Sequence, residues 1–497
     1  MAKAKKLTQS EIDGVQYRKA KTWQVAVSQI NNGSGMAFYS LMGLVSYLAN
    51  EGYGIAVAVV GLILTGTRIF DAIIDPLAAL IIDKMNTRFG KIRIVMAGGW
   101  IIRTAAVLLM FVWGSSGNHG IVLFVLMYLL YYVGATFQDI AGNMLHPVIT
   151  NDPKQRPMVT VWSTIFNYFF PMVFNLVTTM VILPMYGNQY TVPMLATTCL
   201  FYVACSAVCL LISFIGITAF DKPENFRGIT GDEKEDKVKV SDMLKFLKGN
   251  RPFQMFVVAM ASDKLAQQAV GQAVVSTMLF GILVGNMQLG TLISMISMLP
   301  GILFAIVGGR YTGKFGSRGT VVTWTWICIG IAAAGILFCS LIDMSQITKN
   351  MVLMAGFFII LLAMNGAKMC VTTGSAAMRA DIVDYELDRS GKYMPATVTA
   401  TYNFIDKIIT SFGAAITTGL VSLIGFKTVM PQPTDSPTTP IFIVTMFIYF
   451  GLPILGWICT LVAMRFYKLT KPEMVEVQKR IQVKKQPAPD IEAQPAG

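Results

Sequence analysis

Val60-Gly-Leu-Ile-Leu-Thr-Gly-Thr-Arg68-Ile-Phe-Asp71-Ala-Ile-Ile-Asp75-Pro-Leu-Ala-Ala-Leu-Ile-Ile-Asp83 is an apolar run long enough to cross a bilayer as a helix. It nevertheless carries two carboxylates and a guanidinium in its middle. At helical spacing, positions 68, 71 and 75 share one face. Each charge at mid-bilayer costs about 2.5–3.5 kcal/mol on insertion scales, so such a cluster needs a functional reason. A structural salt bridge with Arg68 would use one acid only. The second points to an ion or substrate pathway.

The rest of the chain fits this reading. Of 497 residues, 54% are hydrophobic and 13% charged, with a mean hydropathy of +0.58. A soluble protein has nearer ~25% charged residues, so the chain belongs in lipid. Twelve apolar spans are expected, at about 24–48, 55–82, 94–114, 120–143, 158–183, 193–219, 252–284, 287–309, 320–342, 351–378, 395–424 and 438–467. Short alternating strands are absent, which disfavours a barrel. The expected fold class is an all-α polytopic membrane protein.

Orientation follows from the 40 Lys and Arg. Nearly all lie in the N-terminal segment, the loops after even-numbered spans and the C-terminal tail, whereas Lys349 and Lys427 alone lie in the opposite loops. The positive-inside rule then puts both termini in the cytoplasm, in a cell membrane. The net charge of +13 describes one membrane face and calls for no nucleic acid. Inside the spans, Arg68, Arg103, Lys264, Lys368 and Lys407 balance Asp71, Asp75, Asp139, Asp263 and Asp406, which suggests pairing around a polar cavity. Met1–Lys21 is charged and without an apolar segment, so no cleavable signal peptide is expected. The seven cysteines all fall in spans and read as packing residues, with neither a disulfide framework nor a metal cluster expected.

Four segments are expected: a six-span half at 1–219, a charged linker at 220–251, a second half at 252–469 and a disordered tail at 470–497. The halves echo one another. Asp83-Lys-Met-Asn-Thr-Arg88-Phe-Gly90-Lys91-Ile-Arg93 follows the second span, and Gly309-Arg310-Tyr-Thr-Gly313-Lys314-Phe-Gly316-Ser-Arg318 follows the eighth. Matching loops in two six-span halves are what the major facilitator architecture predicts, with substrate held between halves.

Three blocks carry a more specific resemblance. They are Arg68-Ile-Phe-Asp71-Ala-Ile-Ile-Asp75-Pro76 with its following Thr87-Arg88-Phe-Gly90-Lys91-Ile-Arg93; Thr136-Phe-Gln-Asp139-Ile; and Ala380-Asp381-Ile-Val-Asp384-Tyr385-Glu386 with Lys407 beyond it. Through these the chain resembles the glycoside–pentoside–hexuronide:cation symporters, over nearly all twelve spans. The resemblance implies a cation site at Asp71, Asp75, Thr136 and Asp139, with Lys407 nearby. It implies substrate contacts at Asn31, Arg68, Asp139, Lys407 and Thr372 or Thr373. Three carboxylates sharing one cation with two positive partners is consistent chemistry.

The chain departs from the family pattern in three places. Ile74 replaces an Asn before the second acid, removing an amide oxygen and favouring H⁺ over Na⁺ as the coupling ion. Asn31, beside Asn32, stands where galactoside-transporting members have an aspartate. Thr372 or Thr373 stands where an aromatic platform is expected. Lys368 is additional to the pattern, and facing the cavity it would hold an anionic substrate; the other reading is snorkelling or a structural pair. These departures bear on substrate identity rather than on transport.

The basic loop residues Arg88, Lys91, Arg93, Arg310 and Lys314 are expected to pair with Asp83, Asp381, Asp384 and Glu386 as a cytoplasmic gate, the plainer reading being a solvated face. Asp263 and Lys264 suit gating or packing. Trp162, Tyr131, Tyr132 and Asn167 are candidates for stacking on or bonding a sugar ring, although packing is the commoner use of span aromatics. The expected function is symport of a small-molecule sugar with H⁺ or Na⁺, one chain sufficing and no cofactor being needed. Alternatives are the same fold carrying an organic anion, peptide-like compound or lipid, and a transport-dead sensor. No ligand cluster, nucleophile elbow or phosphate loop supports an enzyme.

Overall fold

Long apolar runs leave backbone N–H and C=O groups no partner in lipid except one another, so each expected span should close its own hydrogen bonds as helix. The computed structural model describes residues 20–84, 90–116, 120–150, 156–221, 247–391 and 395–485, and among them every expected span is helical and none is a strand. Nine unbroken helices among these residues are long and apolar enough to cross a membrane. Arg251–Val270 with Ala273–Leu283, bent by 59°, makes a tenth. The first and eighth spans are helical but interrupted. The first is divided into Thr22–Gln29, Asn31–Met42, Val45–Tyr47 and the wide turn Leu48–Gly52; the eighth into Met287–Ile296 and Met298–Phe315. The tenth runs 40 residues, Met351–Ser390, well beyond the expected 378. At 1.5 Å per residue it is about 60 Å long, twice the ~30 Å hydrocarbon core, so the acidic stretch from Asp381 continues the same rod.

Packing divides the chain into two units. The first is Met1–Glu235 with Gln272–Met295 and Ala414–Ile441; the second is Asp236–Gly271 with Ile296–Gly413 and Phe442–Gly497. The expected division at the linker is therefore modified: part of the seventh, eighth and eleventh spans packs with the first six. Within the first unit, Gly99 and Gly134 let the third and fourth spans meet backbone to backbone. A Cβ on Gly99 would lie 2.8 Å from Gln138 N, and one on Gly134 2.7 Å from Arg103 N. Small residues at such crossings are how membrane helices approach closely. In the second unit Gly456 plays the same part, its Cβ position lying 2.9 Å from Ser262 O.

The disordered tail expected from residue 470 is corrected over Lys471–Lys485, which form a helix. Its apolar face is narrow, but Val477 and Ile481, one turn apart, are buried. Lys471 Nζ donates to the carbonyls of Gly313 (2.9 Å) and Lys314 (3.0 Å) at the end of the eighth span. Arg480 pairs with Asp388 at 2.7 Å. Cation to helix C-terminus and cation to carboxylate together hold a segment whose composition alone looks disordered. Residues 486–497 and most of the charged linker, 222–246, lie outside the described residues.

Candidate functional site

The close third–fourth crossing fixes where the fourth span presents its polar face. Gln138 and Tyr131 turn toward the third span, where Arg103 donates to Gln138 Oε1 (3.1 Å) and Tyr131 OH (2.6 Å). The same guanidinium lies over the rings of Phe38 (4.7 Å) and Tyr131 (4.8 Å). Gln138 Nε2 passes the chain on to Ser34 Oγ (3.1 Å), which shares a bond with Ser206 Oγ (2.8 Å), itself accepting from Trp100 Nε1 (2.9 Å). Arg103 is thus absorbed in a buried network joining the first, third, fourth and sixth spans. Tyr131, a sugar-stacking candidate, is its partner.

Thr136 is two residues before Gln138 and faces the second span, where its hydroxyl donates to Asp71 Oδ1 at 3.3 Å. Two residues expected in the cation site are therefore brought together from spans 65 positions apart. Asp139, one turn beyond Thr136, is exposed. Asp75 lies one helical turn after Asp71 on the same helix, with its side chain outside the described residues. One turn before Asp71, Arg68 bonds the Tyr132 hydroxyl, with Tyr128 and Tyr39 in electrostatic reach. Tyr132 OH lies 3.2 Å from Tyr128 OH. Tyr132, the other tyrosine candidate, thus serves an arginine too.

The first and fifth spans contribute amides and rings. Asn31 is buried and its Oδ1 has no hydrogen-bond partner among the described residues, a costly arrangement in an apolar setting. Asn32 donates to Ser163 Oγ at 3.0 Å. Trp162, Phe166, Phe170 and Phe174 form an i,i+4 ladder with centroids 5.7, 5.6 and 6.0 Å apart. Asn167 is partly buried.

The second unit holds two charged clusters within its spans. Lys264 Nζ pairs with Asp406 Oδ2 at 2.8 Å beside Tyr402, an interhelical pair between the seventh and eleventh spans. Arg379, inconspicuous in the sequence because it sits at the border of the apolar run, lies 4.6 Å over the Tyr402 ring. Lys368 belongs to the other cluster, with Asp263, Trp457 and Gln267. Lys407 is partly buried.

Thr372 and Thr373 lie on the tenth span, Thr372 exposed and Thr373 partly buried. Their hydroxyls donate to the carbonyls of Lys368 (3.1 Å) and Met369 (2.9 Å) on their own helix. Thr373 also packs against Gly308, its Cβ being 3.3 Å from a Cβ built there. Self-bonding threonine is a common way to bury a hydroxyl in a span.

Several of the expected gate residues have partners outside the expected set. Asp221, at the head of the linker, accepts from the backbone N–H groups of Lys91 (2.9 Å), Ile92 (3.1 Å) and Arg93 (2.9 Å), and from Arg93 Nε (3.1 Å). It caps the third span, so Arg93 and the buried Lys91 belong to a helix terminus. Asp381 accepts from Ser317 Oγ, Asp384 from Gln478 (2.7 Å), and Glu386 from Asn250 (2.8 Å) and Arg389 (2.9 Å). Arg310 is exposed, and Lys314 lies over Phe315. The side chains of Asp83 and Arg88 lie outside the described residues.

A clasp that the sequence does not reveal closes the far end of the first unit. Asn50 Nδ2 donates to Ile55 O (2.9 Å) and Thr428 O (2.7 Å), while its Oδ1 accepts from Met430 N (2.7 Å). Tyr47 OH donates to Pro431 O (2.8 Å) and stacks on Tyr190 at 4.2 Å. Gln432 bridges Tyr190 N (2.9 Å) and Glu51 (3.2 Å). The amide of Asn50 is saturated by backbone from both sides of the clasp.

Residues 28–471 match the family described as MFS/sugar transport protein. The Escherichia coli (strain K12) protein named "Putative glycoside/cation symporter YagG" is 22% identical over 90% of this chain and 92% of its own length. The lactose permease of Lactobacillus delbrueckii subsp. bulgaricus is 24% identical over 26% of this chain and 22% of its own. Among solved structures, a bacterial homologue of the human lysosomal transporter Spinster matches with a TM-score of 0.61 at 13% identity, covering 94% of this chain and 98% of that one. The nucleoside transporter NupG matches with a TM-score of 0.57 at 12% identity, covering 89% of this chain and 99% of that one. These structures establish likeness of fold.

Proposed function

Because the chain belongs to the MFS/sugar transport protein family, we propose that it is a secondary active transporter carrying a sugar together with H⁺ or Na⁺. The observation that carries the reading is the contact of Thr136 with Asp71, on a helix face that also bears Asp75, with Asp139 one turn beyond Thr136 on the fourth span. Carboxylates in a low-dielectric span are costly unless a cation compensates them. A bound cation neutralises the cluster and permits the alternation of access that an uncompensated charge opposes. The names of the relatives, a glycoside/cation symporter and a lactose permease, favour the same pairing of cargo and ion. Ile74, in place of an amide, favours H⁺.

In this reading Asn31, with its buried unpaired oxygen, contributes to the sugar contacts, and Lys407 stays with the coupling charges. Both termini are cytoplasmic in a cell membrane, the Asn50 clasp lies on the outer side, and a single chain suffices. Uptake of labelled glycosides and pentosides into proteoliposomes, driven separately by pH and Na⁺ gradients, tests it. Driven uptake by the wild type that Asp71→Asn loses is expected. Uptake indifferent to both gradients would refute symport.

A further inference from the structure

The two in-span lysines of the second unit's seventh and tenth helices are treated differently by their surroundings. Lys264 is ion-paired with Asp406 at 2.8 Å. The Lys368 ammonium makes no hydrogen bond and no ion pair among the described residues. Its ammonium lies over the indole of Trp457, 5.8 Å from the ring centroid, with Asp263 in electrostatic reach. That carboxylate is already engaged: Oδ1 accepts from Trp457 Nε1 and Oδ2 from Gln267 Nε2, both at 2.8 Å. Asp263 therefore lowers the cost of a nearby positive charge while its oxygens serve other donors.

The arrangement is built rather than incidental. Gly456 brings the last span against Ser262, which sets the fully buried Trp457 beside Asp263. Asp263 is buried, whereas Lys368 retains partial exposure. An ammonium carries three donors and is strongly hydrated, so leaving them unmatched in a span is costly. A cation–π contact offsets part of this cost and supplies no hydrogen-bond acceptor. Ionisable groups kept in spans at such cost mark substrate or ion pathways.

We propose that Lys368 is a specificity-determining residue that receives an anionic group, carboxylate, sulfonate or phosphate, on a sugar-like substrate. Asp263, Trp457 and Gln267 are its positioning residues. The proposal rests on the transporter reading for the word substrate; the anion site itself does not need it.

Isothermal titration of the purified protein with methyl glucuronide, glucose 6-phosphate and neutral methyl glucoside tests it, the two anions separating a carboxylate from a phosphate preference. At least one anionic sugar is expected to bind about ten times or more tighter than the neutral one. Lys368→Gln should bring the two to near parity, and Lys368→Arg should keep most of the preference. The anionic sugar should also shield Lys368 of the wild type from acylation, read by mass spectrometry, which needs no folded variant. Equal binding of charged and neutral sugars by the wild type, an unchanged preference in Lys368→Gln, or acylation unaffected by the anion would each overturn the proposal. Gradient-driven uptake of a neutral glycoside without anion preference removes this inference alone. Anion binding without any driven uptake removes the transporter reading and leaves the site.

Discussion

At the scale of single residues, the Thr136–Asp71 contact tells the two coupling ions apart. Its hydroxyl stabilises the ionised carboxylate, as hydrogen bonds to charged groups do by about 1.5–3 kcal/mol. At 3.3 Å the lower figure applies, roughly tenfold in affinity. Without that donor the carboxylate holds a proton more tightly. In Thr136→Ala, H⁺-driven uptake should therefore persist to higher pH, by up to about one unit. If Na⁺ is the ion, the variant should instead need more Na⁺ for half-maximal uptake, since an oxygen that positions the site is gone. Initial rates across pH and Na⁺ concentration separate these. Arg103→Met should destabilise the protein by about 1–3 kcal/mol, because Gln138 and Tyr131 lose a buried hydrogen-bond donor, and thermal unfolding in detergent reads this. Asp71 is conspicuous in the sequence because a charge in an apolar run stands out and helical spacing fixes its face, whereas Thr136 is reached only through the family resemblance. That the Thr372 and Thr373 hydroxyls bond their own helix is not legible, because spacing does not fix a hydroxyl's partner. Asp221 looks like plain linker, since nothing in the sequence shows that it caps a helix beginning at Ile92.

At the scale of elements, Asn50 and the C-terminal helix each hold one end of a unit. Asn50→Ala removes three bonds at once and leaves backbone groups of Ile55, Thr428 and Met430 without that partner, each worth about 1–3 kcal/mol if buried. The clasp should then open more often. A cysteine placed at Thr428 should react several times faster with a membrane-impermeant maleimide in Asn50→Ala than in its parent. Val477→Asp should release the C-terminal helix by putting a charge at a fully buried position, which limited proteolysis would detect as cleavage after Leu469. The helical spans are legible in the sequence, because long apolar runs admit little else. The C-terminal helix is not, because its stability comes from Lys471, Arg480 and two buried aliphatics rather than from its overall hydropathy. The breaks at Ile30 and Ser297 are also invisible, since neither residue interrupts an apolar pattern.

For the whole molecule, charges within the spans are the unifying feature. Some are neutralised within their own unit, as Lys264 is by Asp406, and Arg103 is absorbed by polar and aromatic groups. At Asp71 the structure shows the Thr136 hydroxyl of the fourth span, and the function proposed above assigns a mobile cation to this site. That is the central claim, and it predicts that sugar and cation move as one. The most direct test is to add sugar to de-energised proteoliposomes and record external pH, with external Na⁺ followed in parallel. The account predicts that an inward sugar gradient alone draws H⁺ or Na⁺ in with it, and that Asp71→Asn abolishes this flux. Sugar entry by the wild type with neither ion following would contradict it.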